Sequence, residues 1–291
     1  MSTQSKPSRT FLRSRRLALE YLHSMRELLG SLWTNRRLLV ALARRDISDE
    51  HVSQGGAAAW SIIHPAIMII VYFLVFTFVF PTRVTPPPGT LTDAVVYLLA
   101  GIIPWITLSH VMGRSLVSVV GNASIVKQMV FPLEFLPLKA LAGPLLSGAI
   151  LLTMLVAYSV YITDGASLAA YLIGLPILIV LTLAFLAGLA LMLACIQVFV
   201  RDSREIVNIF LTAGLFIHPI LYLPSAIPAV VKPFLYASPF TYLLFCWQDV
   251  LFYCAIQRPF AWLATLIFAV TFLIVGARLF IVSKPHFGDF L

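Results

Sequence analysis

Residues 168–200 read LAAYLIGLPILIVLTLAFLAGLALMLACIQVFV, without one charged side chain. A bilayer core of about 30 Å needs roughly 20 apolar residues of helix, so this stretch spans with tilt or projects beyond the lipid. The rest of the chain follows the same pattern. Of its 291 residues 60% are hydrophobic and 11% charged, with a mean hydropathy of +0.96. A water-soluble domain would carry about 25% charged residues, and disordered, collagenous or disulfide-rich chains fail on composition too. The expected class is an all-α, polytopic membrane protein.

Further spans are read at 60–80, 94–113, 135–162, 206–223 and 260–282, with 168–200 as the fourth of six. Residues 1–59 form a cytoplasmic segment, 60–291 a transmembrane domain, and 114–134 a cytoplasmic loop. Pro224, Pro228, Pro233 and Pro239 punctuate residues 224–257, where Gln248 and Asp249 sit in an apolar run. That piece is either a seventh span or a re-entrant helical hairpin, which is tolerated where protein buries the polar backbone. Charge decides between them. The first 52 residues hold ten of the 20 Lys and Arg. With six spans and both termini inside, Arg114, Lys127, Lys139, Arg201, Arg204, Arg278 and Lys284 bring the cytoplasmic side to 17, against Arg83, Lys232 and Arg258 outside. A seventh span would move Arg278 and Lys284 outward, against the positive-inside trend. Six spans and a hairpin are therefore expected.

Leu22, Met25, Leu29 and Leu32 recur at helical spacing, with Arg15, Arg16 and Arg26 nearby. This pattern suits an amphipathic helix on the inner membrane surface, or a cytoplasmic helix packed on its own protein. The net charge of +8 also suits a nucleic-acid binder. However, no basic face remains once the apolar runs are removed, and orientation and anionic headgroups explain the positive charge. No secretory signal is read in the first 59 residues. Cys195, Cys246 and Cys254 have neither metal-ligand nor framework spacing and read as small apolar residues.

Catalytic motifs are missing. Around Gly121 to Lys127, Val126 stands where a phosphate-binding loop needs its second glycine. No paired-His metal motif or G-x-S-x-G elbow is found. His64, His110 and His218 are proton-relay candidates or hydrogen-bonded structural residues. Asp249 has no partner that the sequence identifies. The cytoplasmic loop says more: Asn122 is placed to cap a short helix over 123–130, and Pro132 stops it by pushing Phe131 out of the helical region. Such a helix is either a rigid knob for a soluble partner or an ordinary connector.

Asn122-Ala-Ser-Ile-Val-Lys127, followed by Phe131-Pro-Leu-Glu134, resembles the cytoplasmic loop of permease subunits of ABC-2-type polysaccharide exporters, the O-antigen, capsule and teichoic-acid family. Arg45-Asp46-Ile47 before Trp60, Pro65, Gly101, Pro104-Trp105, Arg201-Asp202, Pro219 and Tyr222 agree in order and spacing, as does the ending from Phe280 through Lys284-Pro285 to Phe287-Gly-Asp289. The resemblance implies a homodimer in the bacterial inner membrane bound to two copies of a separate ABC ATPase. The ATPase would carry ATP and Mg, leaving this chain a non-enzyme without a cofactor. Asn122, Ser124, Lys127, Phe131 and Glu134 would form the ATPase-coupling element, with Arg201 and Asp202 on a second cytoplasmic loop. The cargo would be a glycan on a polyprenyl diphosphate lipid, O-antigen first. Tyr72, Phe76 and Trp105 are candidate channel residues, because aromatic rings stack on sugars; facing lipid or a neighbouring helix is the alternative.

The chain also departs from the family. Asp49, Glu50, His51 and Val52 occupy the place of a basic-and-tyrosine cluster, and Gln128 replaces a second basic residue. Phe245 and Gln248 replace a glutamate and an arginine. Two other functions fit the same residues: an ABC-2 exporter of capsule, teichoic acid or a small lipophilic compound, and a membrane enzyme acting on polyprenyl-linked sugars through Asp249 or a histidine.

Overall fold

Apolar runs without charge can satisfy their backbone in lipid only as helices, and every regular element among the described residues is helical. The computed structural model describes residues 9–52, 94–128, 131–163, 165, 167–224 and 228–291, with positions 63, 67, 70, 71, 74, 75 and 78 between them. The expected first span, and with it Pro65, His64, Tyr72 and Phe76, lies outside the described residues apart from those isolated positions.

Helices α1 (Arg9–Thr34) and α2 (Arg36–Val52) come first, then α3 (Ala94–Val120) and the short α4 (Ala123–Gln128). The one-turn α5 (Phe135–Lys139) leads into α6 (Ala142–Ile162), followed by α7 (Leu168–Phe199) and α8 (Ser203–Ile217). Helices α9 (Lys232–Ala237) and α10 (Pro239–Leu251) fill the proline-punctuated stretch. The chain ends with α11 (Pro259–Ser283), a 3-10 turn over Lys284–His286, and α12 (Phe287–Phe290). Four stretches are long and apolar enough to cross a bilayer: Val95–Val120, Phe135–Ile162, Leu168–Phe199 and Pro259–Phe290.

Helix α7 packs on α11 and α3, and α3 in turn contacts α6, α8 and α10. The α7–α11 crossing depends on two glycines. A Cβ on Gly276 would stand 2.3 Å from the Gly188 carbonyl oxygen, and one on Gly188 would stand 2.3 Å from the Leu273 nitrogen. In lipid, where apolar side chains gain little by leaving their surroundings, small residues that let backbones approach are what hold helices together.

Several sequence expectations change. The second span continues to Val120, which brings Arg114 into α3. The third is interrupted at Ala140 and Leu141, between α5 and α6. The fifth stops at Ile217, and its 15 residues rise only about 22 Å. Its end has a local cause: His218 precedes Pro219 and takes the extended backbone that a following proline favours. Helix α1 turns inward a face that keeps Met25 and Leu32 of the expected stripe but has Leu28 where Leu29 was expected. Leu28 is buried, with Met25 and Leu32 packed beside it against Ala194, Ala277 and Phe280, whereas Leu29 and Trp33 are exposed. Of the two readings of this helix, packing on its own protein holds for that face.

Candidate coupling site at the Asn122–Glu134 loop

Helix α3 ends at Val120, and the chain turns through Gly121 and Asn122. The Asn122 carbonyl accepts from the Val126 N–H at 3.2 Å, so Asn122 does stand at the start of α4. Its side chain acts backwards, however. Nδ2 donates to the Ser118 carbonyl at 2.7 Å, closing the end of α3 where the expectation had it accepting from α4. A helix end leaves carbonyls without internal partners, so this bond satisfies a group that the turn would otherwise strand. Ser124 and Lys127 are exposed on α4. Phe131 is half-buried and meets Phe135 edge-on, with ring centroids 6.4 Å apart.

Glu134 is the loop's buried charge, at 5% exposure. Ser31 of α1 donates to its Oε1 at 2.5 Å, and Lys284, just past α11, donates to Oε2 at 2.9 Å. Burial by itself would raise the Glu134 pKa; the Ser31 and Lys284 donations outweigh it and hold the carboxyl below the ordinary glutamate value. One carboxylate thus ties the loop to both ends of the chain. Two further ion pairs reinforce the arrangement. Arg278 Nη2 lies 2.6 Å from Glu20 Oε2, joining α11 to α1, and Arg114 pairs with Asp46, joining α3 to α2.

The C-terminal segment closes the site. Phe287 is fully buried in a cluster with Val119, Leu133, Leu136 and Val198. Helix α12 contacts both α4 and α7. Arg201 and Asp202 are exposed in the turn after α7. Gln197 clasps that turn: its Nε2 donates to the Arg201 carbonyl at 2.9 Å, and its Oε1 accepts from Ser203 at 2.7 Å. Ser31 and Gln197 carried no sequence signal, since each is a lone polar side chain in an otherwise ordinary helix. Lys284 and Phe287 belonged to the recognisable ending, although their place beside the loop could not be read from it.

Trp105 does not face an open path. It is 3% exposed, with His218, Phe210 and Phe240 around it at centroid distances of 4.8, 6.0 and 6.3 Å. Gly214 makes the slot, since a Cβ there would stand 2.3 Å from the Trp105 ring. Of the two readings the sequence left open for this ring, channel lining or a neighbouring helix, its surroundings within the chain are those of the second. His218 is likewise buried, with Nδ1 2.7 Å from the Gly214 carbonyl and Nε2 2.8 Å from the Ser238 hydroxyl. This is a hydrogen-bonded structural histidine.

Asp249 acquires partners from a turn that follows it. It is 0% exposed. Its Oδ2 accepts from the Arg258 backbone N–H at 3.1 Å and from Trp262 Nε1 at 3.2 Å, while Oδ1 lies 3.4 Å from Arg258 Nε. The Arg258 guanidinium sits 4.3 Å over the Phe245 ring and 3.4 Å from Gln248 Oε1. Phe245 and Gln248, two of the departures from the family pattern, thus form the seat of Arg258. Among the described residues no group of three His, Cys, Asp or Glu is arranged to hold a metal.

Residues 38–252 match the family model for the ABC-2 type transporter. The chain belongs to that family. As a member it is the permease component of a transporter, and ATP hydrolysis resides on a separate subunit. Among curated proteins it is similar to the O-antigen export system permease protein RfbA of Klebsiella pneumoniae, 24% identical over 87% of this chain and 95% of that protein. It is also similar to the O-antigen export system permease protein RfbA of Myxococcus xanthus, 26% identical over 70% of this chain and 75% of that protein.

Proposed function

We propose that this permease exports a lipid-linked polysaccharide, O-antigen in the first instance, across the bacterial inner membrane. It would act as a homodimer with two copies of an ABC ATPase, on a glycan carried by polyprenyl diphosphate. Six spans cross the membrane in this reading, with both termini cytoplasmic and residues 224–257 entering and leaving from the outer side. Two supports stand behind the cargo and the topology. The similar proteins of K. pneumoniae and M. xanthus are named as O-antigen export permeases. In the hairpin, Gln248 Nε2 donates to the Pro219 carbonyl at 2.7 Å, and Tyr171 donates to the Leu251 carbonyl at 2.9 Å. Non-helical backbone at membrane depth needs protein partners of this kind.

The observation that carries the coupling proposal is the Glu134 node. ATPase closure would press on the exposed face of α4, at Ser124 and Lys127. Because Glu134 is bonded to Ser31 and Lys284, that push reaches α1 and α11 together and does not dissipate in a loose loop. Arg201 and Asp202 would offer a second contact to the same partner. Deleting the gene and extracting lipids tests the export role. Full-length glycan should accumulate on its carrier inside the cell, whereas normal surface glycan without accumulation would end the proposal. The Asp249 form of the enzyme alternative would need that carboxyl open to substrate, and it is enclosed and paired with Arg258.

A further inference from the structure

Helix α1 continues into α2 without a change of register. The Asn35 N–H donates to the Ser31 carbonyl at 3.0 Å, and the Leu39 N–H to the Asn35 carbonyl at 3.1 Å. One face of this joined helix is committed: Ser24 and Leu28 are buried, Ser31 holds Glu134, and Asp46 pairs with Arg114. The opposite face carries a different pattern. Leu29, Trp33, Arg36, Arg37, Val40 and Arg44 recur three and four residues apart, so they share one side of the helix, and all six are exposed. Trp33 is 73% exposed and Val40 50%. Arg26 extends the row by another turn. Glu20, Glu27 and Asp46 lie off it: Glu20 pairs with Arg278, Asp46 with Arg114, and Glu27 reaches His23 at 4.0 Å.

Tryptophan and aliphatic side chains gain by entering the boundary between headgroups and acyl chains, while arginines beside them reach phosphate oxygens with paired N–H groups. Arg36 is already arranged for this. Its Nη1 donates to the Trp33 carbonyl at 2.9 Å and its guanidinium lies 5.0 Å from the Trp33 ring centroid, which leaves its other N–H groups for a ligand. Arg36, Arg37 and Arg44 line an open groove with Val40 and Ala41 between them. We propose that this face binds the phosphate groups of anionic phospholipid in the cytoplasmic leaflet. Trp33 and Val40 enter the acyl boundary, and the three arginines take the phosphates. The inference rests on the topology proposed above, which puts the N-terminus inside. An acidic protein surface would answer the arginines, but the interleaved Leu29, Trp33 and Val40 favour lipid, which receives charged and apolar side chains along one row.

The test uses the full-length protein in detergent with equimolar dioleoyl phosphatidylglycerol and dioleoyl phosphatidylcholine, and native mass spectrometry counts the lipid retained. The wild type should prefer phosphatidylglycerol. Arg37→Gln with Arg44→Gln should lower that preference about fivefold, the equivalent of the ~1 kcal/mol that a basic residue gains beside anionic lipid. Arg37→Lys with Arg44→Lys should keep most of it, and Arg204→Gln, on α8, all of it. No preference in the wild type overturns the proposal, as does a preference that survives both glutamine substitutions. Equal displacement by soluble glycerol phosphate overturns it in favour of free phosphate. Stronger retention of a polyprenyl diphosphate, lost in the same variant, overturns it in favour of the carrier lipid. Unchanged lipid retention with loss of ATPase co-purification assigns the face to that partner instead. Binding in detergent is independent of topology, which is tested separately: in intact spheroplasts an impermeant maleimide should label Trp33→Cys, in a Cys254→Ser background, only after permeabilisation. Labelling from outside overturns the topology and the leaflet, while the detergent result still decides the arginine face.

Discussion

Lys284 Nζ lies 2.9 Å from Glu134 Oε2, across 150 residues of chain. This pair joins the end of the last long helix to the end of the loop proposed to meet the ATPase. Lys284 is about a third exposed, which screens its charge, so the bond is worth less than a fully buried pair. Lys284→Ala should lower stability by about 1–2 kcal/mol, the scale of a hydrogen bond to a charged group. Glu134→Gln with Lys284→Ala should cost less than the two singles added, because the double variant strands no carboxylate. Thermal unfolding in detergent measures all three; strict additivity would dissolve the pair.

The lowered Glu134 pKa gives this node a pH signature. A carboxyl whose folded pKa is depressed contributes stability that is complete above its unfolded value of about 4.3. That contribution drains away as pH falls through the folded value. The wild type should therefore lose more thermal stability than Glu134→Gln when acidified below the usual glutamate range. Parallel melting curves for the two proteins across that range would contradict it.

Asp249 and Arg258 make a more enclosed pair. Removing the arginine leaves a buried carboxylate alone, and breaking a buried ion pair costs about 3–5 kcal/mol. Arg258→Met should therefore unfold or fail to accumulate, and Asp249→Asn in the same chain should recover much of the loss, since the amide still accepts from Trp262. The yield of monodisperse protein from membranes reports the outcome.

The α7–α11 crossing leaves no room for a methyl group. Gly276→Ala places a Cβ against the Gly188 carbonyl, and overpacking of this kind costs about 1–3 kcal/mol. Gly113→Ala, on α3 with nothing within 4 Å, should be neutral or stabilise by about 0.5–1 kcal/mol, because alanine loses less freedom than glycine in a helix. Melting temperatures of the two variants should move apart, with only Gly276→Ala falling.

The uncharged run at 168–200 matched α7 to within one residue, because length and apolarity alone determine a long helix in lipid. The fifth expected span was read to residue 223, but its helix ends at Ile217, where His218-Pro219 breaks it; an apolar count does not register a backbone restriction. Asn122 was read as a cap from its position and proved to bond the helix behind it, since an amide can donate as readily as it accepts. Asp249 had no partner on paper because Arg258 reaches it only after the chain turns through residues 252–258. Ser31 and Glu134 are separated by 103 residues, and a single serine gives no pattern to search for. Periodicity and charge bias were legible, while polar contacts made by one atom across the fold were not.

In the proposed mechanism the Asn122–Glu134 loop couples a separate ATPase to movement of a lipid-linked glycan through this chain. Glycan transfer in proteoliposomes that hold the permease and its ATPase, comparing wild type with Glu134→Ala, tests this coupling. The wild type should carry the glycan across only with ATP. Glu134→Ala should insert normally yet transfer little and lose its transport-linked ATP hydrolysis. Transfer without the ATPase, or unchanged transfer by Glu134→Ala, would contradict the account.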